Sequence, residues 1–278
     1  MAEPSFDRAR FAALLATRRL GRHLIARARV GSTNDVAWEA RAAAAPDGTV
    51  VVADQQTRGR GRAGRVWHSA PGRGLALSVL LYLGGDRRGA GVLTLAAGLA
   101  LAQALERLGV AAELKWPNDV LLGGRKLAGI LGERRGAAPG GGTGEAAVIG
   151  LGVNVAEREA DFPPGLRARA TSLAIAGAAL GRETVAAAFL DALEPLVDAL
   201  AAGERAAVLA AWQARAAFWG APVTVRTPAG AVSGIARRLD PDGALVLALD
   251  SGAETTVLAG DLELEATQPE AAWGHDEP

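Results

Sequence analysis

The sequence predicts an α+β protein, in which a mixed β-sheet packed with helices is followed by a small closed β-barrel. In the first 220 residues, apolar strand-like runs are interspersed with Ala/Leu-rich helical stretches. Near Gly220 the composition changes, and five short strands follow over about 45 residues, separated by Gly, Pro or Asp turns. We therefore expect a larger domain over residues 1–220, a barrel over 221–267 and a polar, disordered tail over 268–278.

Hydrophobic periodicity, glycines and capping residues divide these domains into helices and strands. Helices are predicted over residues 6–20, 34–45, 93–108, 183–202 and 205–218, and strands over 23–30, 49–53, 75–83, 113–116, 120–122, 126–132 and 146–155. The barrel strands are predicted over 222–227, 232–239, 244–249, 255–258 and 262–265. Gly123-Gly124 favours a tight hairpin, and the Gly-rich stretch 136–144 is typical of a mobile hairpin tip.

Composition excludes several classes of function. The 278 residues carry 30 basic and 30 acidic side chains, so a broadly basic nucleic-acid binder is not expected. The chain has no cysteine, which excludes thiol catalysis, disulfides and Cys-ligated metals, and its three histidines are scattered, which disfavours a His-based metal site. Since no long apolar run and no signal-peptide core are present, we expect a soluble cytoplasmic protein without a membrane partner.

A basic, glycine-rich segment occupies residues 56–67, Gln-Thr-Arg-Gly-Arg-Gly-Arg-Ala-Gly-Arg-Val-Trp, and is called the Arg loop below. Glycine allows close backbone approach to a ligand, and arginine presents a fork of donors to phosphate or carboxylate, so this segment is suited to wrap an anion. Its glycine spacing also matches the dinucleotide fingerprint and, with Val66, the kinase glycine loop. Both matches are weak, because the segment that follows cannot open a helix and the other kinase motifs are missing. A flexible surface loop is the plain alternative.

Three shorter patterns also have two interpretations each. If Gly123-Gly124 is a two-residue turn, Leu121 pairs with Lys126 and Val120 with Leu127, which places Asp119 and Lys126 on one face. That pair is either part of a site or an ordinary exposed ion pair. Ser32-Thr33-Asn34 is either a helix cap or a polar site. The glycines of Gly150-Leu151-Gly152-Val153-Asn154 indicate either a bulge or a close approach by ligand or backbone.

Taken in order, these motifs resemble the biotin–protein ligases. The resemblance rests on Ser32-Thr33-Asn34, the Arg loop, Lys115-Trp116-Pro117-Asn118-Asp119, residues 125–132 and residues 150–154. It covers about the first 155 residues by motif, and the rest by architecture, since the family carries an SH3-like barrel at its C-terminus. It implies a class II synthetase-like biotin/lipoate ligase catalytic domain and an enzyme that forms biotinyl-5′-AMP from biotin and ATP with Mg²⁺. The biotin then passes to a lysine of a biotin carboxyl carrier protein.

The resemblance also implies roles for individual residues. Catalysis is expected from Lys126, Arg62 and Asp119. Biotin is expected to contact Ser32, Thr33, Asn34, Gln56, Arg60, Gly61, Arg62 and Lys126, with Gly61 letting the backbone close over the ligand. ATP is expected to contact Arg65, Trp67, Lys115, Asn118 and Asn154, while Arg65 and Trp67 also anchor the Arg loop. No magnesium ligand is assigned, and we expect the Arg loop to be mobile without ligand and ordered over the adenylate.

The chain differs from other members of this family in two features, and two alternative functions compete with biotin ligation. About 30 residues precede Ser32, too few for the winged-helix domain that some members carry, so DNA binding is not expected. Phe162 is the one aromatic residue between Asn154 and the predicted helices that follow, so adenine stacking stays open, as does a homodimer. A lipoate–protein ligase shares the fold and the chemistry, but the polar Ser-Thr-Asn set favours a ureido ring. A non-enzymatic binding protein is disfavoured by the retention of Arg60, Arg62 and Lys126.

Overall fold

The structure, a computed structural model, describes residues 3–83, 90–136 and 144–264. The α-helices are α1 (Arg8–Leu14), α2 (Thr33–Ala42), α3 (Ala90–Arg107), α4 (Arg182–Ala201) and α5 (Arg205–Gln213). The strands are β1 (Leu24–Val30), β2 (Val50–Gln56), β3 (Leu75–Tyr82), β4 (Glu113–Lys115), β5 (Asp119–Leu122), β6 (Arg125–Arg135), β7 (Ala146–Val153), β8 (Pro222–Thr227), β9 (Gly230–Leu239), β10 (Leu245–Ala248), β11 (Glu254–Val257) and β12 (Asp261–Leu264). The predicted disordered tail and most of the predicted hairpin tip lie outside the described residues.

A seven-stranded mixed sheet, ordered β1-β2-β3-β7-β6-β5-β4, forms the centre of the larger domain. Only the β1–β2 pairing is parallel among those described in this sheet, and the other neighbours run antiparallel. Helix α3 packs on α4 and on β6, while α2 packs against β2, β3 and β7. The large apolar core includes the buried residues of α3 and α4, whereas Trp38 of α2 belongs to a separate cluster with Val51, Leu80 and Val148. The predicted α+β class, a mixed sheet packed with helices, is confirmed.

The first helix is shorter than the predicted 6–20 and ends at Leu14. Glu194 of α4 causes part of this difference, because its carboxylate accepts the backbone N–H groups of Arg18, Arg19 and Leu20 at 2.7 to 2.8 Å. Those donors would bond to carbonyls of the preceding turn if the helix continued. A long-range contact therefore replaces the last turn of the predicted helix.

Two other predicted boundaries are wrong for similar reasons. The helix predicted to reach residue 218 ends at Gln213, whose backbone carbonyl accepts the indole N–H of Trp219 at 2.7 Å. The carbonyl of Arg215 then accepts the backbone N–H of Leu114 at the edge of the sheet. The strand predicted to end at residue 53 continues to Gln56, because its partner β1 pairs with it as far as Val30.

The C-terminal strands form a five-stranded antiparallel sheet, ordered β11-β10-β9-β8-β12, which is consistent with the predicted SH3-like architecture. All five predicted strands are present: β8 has the predicted bounds, and the bounds of the other four shift by at most two residues. Its end strand β12 lies beside the Arg loop of the larger domain, through an ion pair between Arg65 and Asp261. No helix within the described ranges is long and apolar enough to cross a membrane. The domain boundaries at residues 220 and 267 stay predictions.

Three glycines leave a bare surface on neighbouring strands β6 and β7. Gly129 pairs with Gly152, and Gly150 lies two residues before Gly152 on β7. A Cβ at Gly152 would lie 2.3 Å from Cε2 of Trp67, and a Cβ at Gly150 would lie 2.3 Å from Oδ1 of Asn34. The bulge interpretation of Gly150 and Gly152 is wrong, because β7 pairs in continuous register. The groups that approach these glycines in the structure are side chains, whereas the prediction named ligand or backbone. The sheet is bare here so that Trp67 and Asn34 can lie against it.

Substitution of Gly152 by Ala should therefore displace the Trp67 ring. We expect a loss of about 1–3 kcal/mol in the free energy of unfolding, the usual cost of overpacking, measured by chemical denaturation. In a Trp67→Ala background the same substitution should cost less than about 0.5 kcal/mol, since the clashing ring is gone. An equal cost in both backgrounds would show that the contact with Trp67 is not the reason for this glycine.

Glu157, just beyond β7, is a buried acid whose Oε1 has no hydrogen-bond partner. Its Oε2 accepts the backbone N–H of Val155 at 2.8 Å, and its backbone carbonyl accepts the hydroxyl of Ser172 at 2.7 Å. Burial raises the pKa of this carboxyl to about 7, and the charge of nearby Asp161 adds to the increase. The protonated form is therefore favoured in the folded chain across mildly acidic pH.

Stability should consequently depend on pH through Glu157. The unfolded chain releases this proton near pH 4.5 and the folded chain near pH 7, so between these values the folded state binds more protons and stability falls as pH rises. Glu157→Gln removes this titration. The free energy of unfolding of the variant, relative to the original chain, should rise by up to about 3 kcal/mol between pH 4.5 and pH 7.5. Parallel pH profiles for the two proteins would contradict this.

Candidate active site

A cleft of about 910 Å³ opens between the bare face of the sheet, the Arg loop and β12. Every residue that the sequence assigned to catalysis or binding lines this cleft, namely Ser32, Thr33, Asn34, Gln56, Arg60, Gly61, Arg62, Arg65, Trp67, Lys115, Asn118, Asp119, Lys126 and Asn154. Phe162 and residues 261–264 line it as well. The structure thus brings the predicted residues together, while their individual roles stay predictions.

One end of the cleft is neutral and polar. Thr33 donates its backbone N–H and its hydroxyl to Oε1 of Gln56, at 2.8 and 3.1 Å. The hydroxyl of Ser78 lies 2.7 Å from both Oγ1 of Thr33 and Oδ1 of Asn34. Ser32 occupies the N-cap position of α2, but its buried side chain makes no capping hydrogen bond. The helix-cap interpretation therefore holds for the backbone position only.

The Arg loop folds back on itself as a hairpin. Gly59 accepts the N–H of Trp67 at 2.9 Å, and Gly61 donates its N–H to Arg65 at 2.7 Å. A Cβ at Gly59 would lie 2.6 Å from the carbonyl oxygen of Trp67, so glycine is required there. Gly61 is extended, and the left-handed residues are Ala63 (φ 53°) and Gly64 (φ 74°). No α-helix follows the loop before β3, which excludes the dinucleotide-fold interpretation.

Two arginines of the loop are held by carboxylates. Arg60 donates Nη1 to both oxygens of Asp35, at 2.8 and 2.9 Å, and Nη2 to Oε1 of Glu133 at 2.8 Å. The hydrogen bond to Glu133 is the chief reason that the pKa of Arg60 is raised. Arg65 donates to Asp261 at 2.5 Å. Arg60 is therefore charge-compensated within the protein and also lines the cleft, and the biotin contact predicted for it stays a prediction.

Arg62 is in a different situation. It makes no ion pair in the described part of the chain, and its Nη1 lies 3.3 Å from Oδ1 of Asn118. Burial lowers the pKa of Arg62, partly offset by the charges of Asp261 and Asp119. Asn118 is itself fixed, since its Nδ2 donates to the carbonyl of Ile130 at 2.8 Å. Arg62 is thus a half-buried cation whose charge is left for a ligand in the cleft.

Lys126 and Asp119 form the other charged pair, with Nζ 2.6 Å from Oδ1. The predicted turn at Gly123-Gly124 and the pairing of Leu121 with Lys126 are confirmed. The predicted pairing of Val120 with Leu127 is wrong, because a bulge shifts the register and Val120 pairs with Ala128. The Lys126 ammonium also lies 6.0 Å from the centroid of the Trp67 ring.

Asn154 is held by the backbone of two other segments, and its predicted contact with ATP stays a prediction. This buried residue donates Nδ2 to the carbonyl of Thr171 at 2.8 Å and approaches that of Lys126 at 3.4 Å. The backbone of Lys126 is in turn paired with residues 169–171. The amide of Asn154 therefore braces the floor of the cleft, and a contact with the nucleotide would use its Oδ1.

Sequence reasoning missed four polar residues that organise the cleft, namely Asp35, Ser78, Glu133 and Asp261. Ser78 carried a signal, because it is the one polar side chain in the apolar run 75–83 apart from the Tyr82 hydroxyl. The other three are ordinary acidic residues in the sequence. Their partners lie between 25 and 196 residues away along the chain, so no local pattern marks them.

The donor set of the cleft fits magnesium that arrives with a nucleotide. Carboxylates lining it are Asp119, Asp261 and Glu263, and the described residues contain no cluster of three or more His, Cys, Asp or Glu side chains suited to hold a metal. Magnesium is commonly held by one or two carboxylates together with substrate phosphates and water. These residues suit that arrangement better than an all-protein metal cage.

Comparisons with known proteins show which family this chain resembles. Residues 26–154 match the model of the biotin/lipoate A/B protein ligase family, and residues 218–264 match the biotin protein ligase C terminal domain. The chain is 35% identical over 252 residues to the bifunctional ligase/repressor BirA of Bacillus subtilis, covering 90% of this chain and 76% of that protein. It is 39% identical over 245 residues to the biotin–[acetyl-CoA-carboxylase] ligase of Mycobacterium tuberculosis, covering 84% and 86% of the two chains.

A solved structure supports the same relationship. The biotin protein ligase from Aquifex aeolicus in complex with biotin and ATP superposes with a TM-score of 0.71 at 27% identity, covering 88% of this chain and 99% of that one. The two family models match the two parts of the chain in the order that the fold shows. The chain therefore belongs to the biotin/lipoate A/B protein ligase family, among the biotin–protein ligases.

Proposed function

We propose that this protein is an ATP-dependent biotin–protein ligase that transfers biotin to a lysine of a biotin carboxyl carrier protein. The observation that carries the proposal is one cleft that joins a neutral polar pocket to two cations, Arg62 and Lys126. The related enzymes named above support it, as does the Aquifex aeolicus protein, whose structure contains biotin and ATP. The proposal includes Mg²⁺ supplied with ATP and a cytoplasmic location.

The neutral end of the cleft suits the ureido ring of biotin. That ring carries no charge and needs both donors and acceptors, which Ser32, Asn34 and Gln56 supply. The apolar part of the ligand can lie along the Trp67 ring and the bare glycines of the sheet.

Adenylation brings two anions together, and the cations offset their repulsion. An oxygen of the biotin carboxylate attacks the α-phosphorus of ATP, the bond to the β-phosphate oxygen breaks, and pyrophosphate leaves. Arg62 and Lys126 stabilise the negative charge that develops on the phosphoryl oxygens. Asp119 accepts a hydrogen bond from Nζ of Lys126 at 2.6 Å, which orients the lysine within the cleft.

In the second step, the carrier lysine attacks the acyl carbon of biotinyl-5′-AMP, and AMP leaves. The attacking amine must lose a proton, and Asp119 is the carboxylate that lines the cleft beside Lys126. We assign to Asp119 the orientation of Lys126 or of the incoming amine. No covalent enzyme intermediate is required, which agrees with a chain that contains no cysteine.

The proposed activity is tested by pyrophosphate release from ATP in the presence of biotin, lipoate or neither. We expect release that depends on biotin and on magnesium, because the polar pocket fits a ureido ring better than a dithiolane. Release with lipoate alone would assign the protein to the lipoate branch of the family. Release with neither compound, or none at all, would contradict acyl adenylation by this cleft.

Arg62→Gly tests the proposed role of the uncompensated cation. The variant should still form biotinyl-5′-AMP but lose it to solvent about 10- to 100-fold faster, since one charge-assisted hydrogen bond is worth roughly 1.5–3 kcal/mol. The adenylate is measured in the filtrate after rapid ultrafiltration. Arg58→Gly is the matched control, because Arg58 is a loop arginine that does not line the cleft. Equal retention by the two variants would refute the role assigned to Arg62.

A further inference from the structure

Glu133 lies on the cleft side of β6, beyond Lys126 and Gly129 on the same strand. Its carboxylate receives three side-chain donors. Oε1 accepts Nη2 of Arg60 at 2.8 Å and Nδ2 of Asn34 at 3.0 Å, and Oε2 accepts Nε1 of Trp38 at 2.7 Å. A single oxygen thus joins a residue of the neutral pocket to a residue of the Arg loop.

Two of the three partners of Glu133, Asn34 and Arg60, are each held by a second hydrogen-bonded neighbour. Asn34 also accepts the hydroxyl of Ser78 at Oδ1, so its amide has one orientation that satisfies both neighbours. Arg60 also bonds to Asp35 in the first turn of α2. Burial alone would raise the pKa of Glu133, but hydrogen bonds from Arg60, Asn34 and Trp38 outweigh it and hold that pKa below its ordinary value. Glu133 is therefore favoured in its ionised form, and both of its carboxylate oxygens accept hydrogen bonds from neighbouring side chains.

The charges of this cluster decide what Arg60 can do. Arg60 contributes one positive charge, while Asp35 and Glu133 contribute two negative charges, so the cluster is anionic overall. An incoming phosphate or carboxylate would have to displace these partners to bind the Arg60 guanidinium. Arg60 is therefore suited to anchor the loop, whereas Arg62, which has no ion pair among the described residues, is suited to bind the anion.

We propose that Glu133 is a positioning residue that orients Asn34 in the biotin pocket and at the same time anchors the Arg loop through Arg60. The inference rests on the proposed function for the identity of the ligand. Its mechanical part, the anchoring of the loop, depends only on the contacts described here. Through Glu133, the shape of the ring pocket and the position of the loop are set by one carboxylate.

Glu133→Gln tests whether Glu133 orients Asn34 in the biotin pocket. The substitution keeps the size of the side chain but removes its charge and one of its two acceptor oxygens, so the hydrogen bonds from Arg60, Asn34 and Trp38 can no longer all be kept at full strength. We expect the Kd for biotin, measured by titration calorimetry, to increase about tenfold or more, with kcat for pyrophosphate release changed less than about threefold. Trp38→Phe is the matched control, because it removes only the donor to Oε2. It should leave the Kd for biotin within about twofold, even if thermal stability decreases in both variants.

Trypsin cleavage within residues 58–65 tests whether Glu133 anchors the Arg loop, and this measurement needs no ligand. Both Glu133→Gln and Asp35→Asn weaken the hold on Arg60, so cleavage of the loop should be at least about threefold faster than in the original chain, while Trp38→Phe leaves it unchanged. Equal biotin affinity in Glu133→Gln and Trp38→Phe, or unchanged cleavage in Glu133→Gln, would overturn the proposal. If the unmodified protein binds no biotin, the proposed function fails, and the cleavage arm alone decides whether Glu133 anchors the loop.

Discussion

The arrangement of the cleft depends on the absence of side chains at one place in the sheet. Gly129, Gly150 and Gly152 lie on adjacent strands, and a Cβ at either residue of β7 would lie 2.3 Å from a neighbouring side-chain atom. Because the surface is bare, Trp67 lies against one part of it and Asn34 against another. The Arg loop and the start of α2 thereby reach the same face of the sheet. A side chain here would separate the loop from the pocket that it covers.

Charge compensation then distinguishes the cations around this surface. Arg60 and Arg65 are bound to carboxylates of α2, β6 and β12, and they fix the loop at both ends. Lys126 is paired with Asp119 on the adjacent strand. Arg62 lies at the tip of the hairpin with only an amide oxygen beside it in the described part of the chain. The anion of a ligand in the cleft can therefore meet Arg62, which has no ion pair among the described residues, and Lys126, which Asp119 orients.

Local sequence patterns predicted those parts of the cleft that are set by local geometry. The Gly123-Gly124 turn determined that Asp119 and Lys126 share a face, and both glycines adopt the left-handed conformation that such a turn requires. The bulge beside Lys126 was not predicted; at this point the backbone of Lys126 also pairs with residues 169–171, which are distant in the sequence. No single motif identified the residues that meet in the cleft. They were identified because the motifs, taken in order, resemble those of the biotin–protein ligases.

Contacts between distant parts of the chain were beyond such reasoning. Glu133 bonds to Arg60 across 73 residues, and Arg65 to Asp261 across 196 residues. Acidic residues are common on surfaces, so their sequence positions carry no mark of these partnerships. The early end of α1 has the same origin, since Glu194 takes its backbone donors from 174 to 176 residues away. Sequence patterns therefore located the residues that line the cleft better than the acidic residues that bind them.

A crystal structure of the protein with biotin and a non-hydrolysable ATP analogue would show which side chains hold the ring and the anions. We expect the ureido ring between Asn34 and Gln56, the carboxylate and the α-phosphate between Arg62 and Lys126, and Arg60 still bound to Glu133. A ligand whose phosphate displaces Glu133 from Arg60 while Arg62 points to solvent would contradict this expectation.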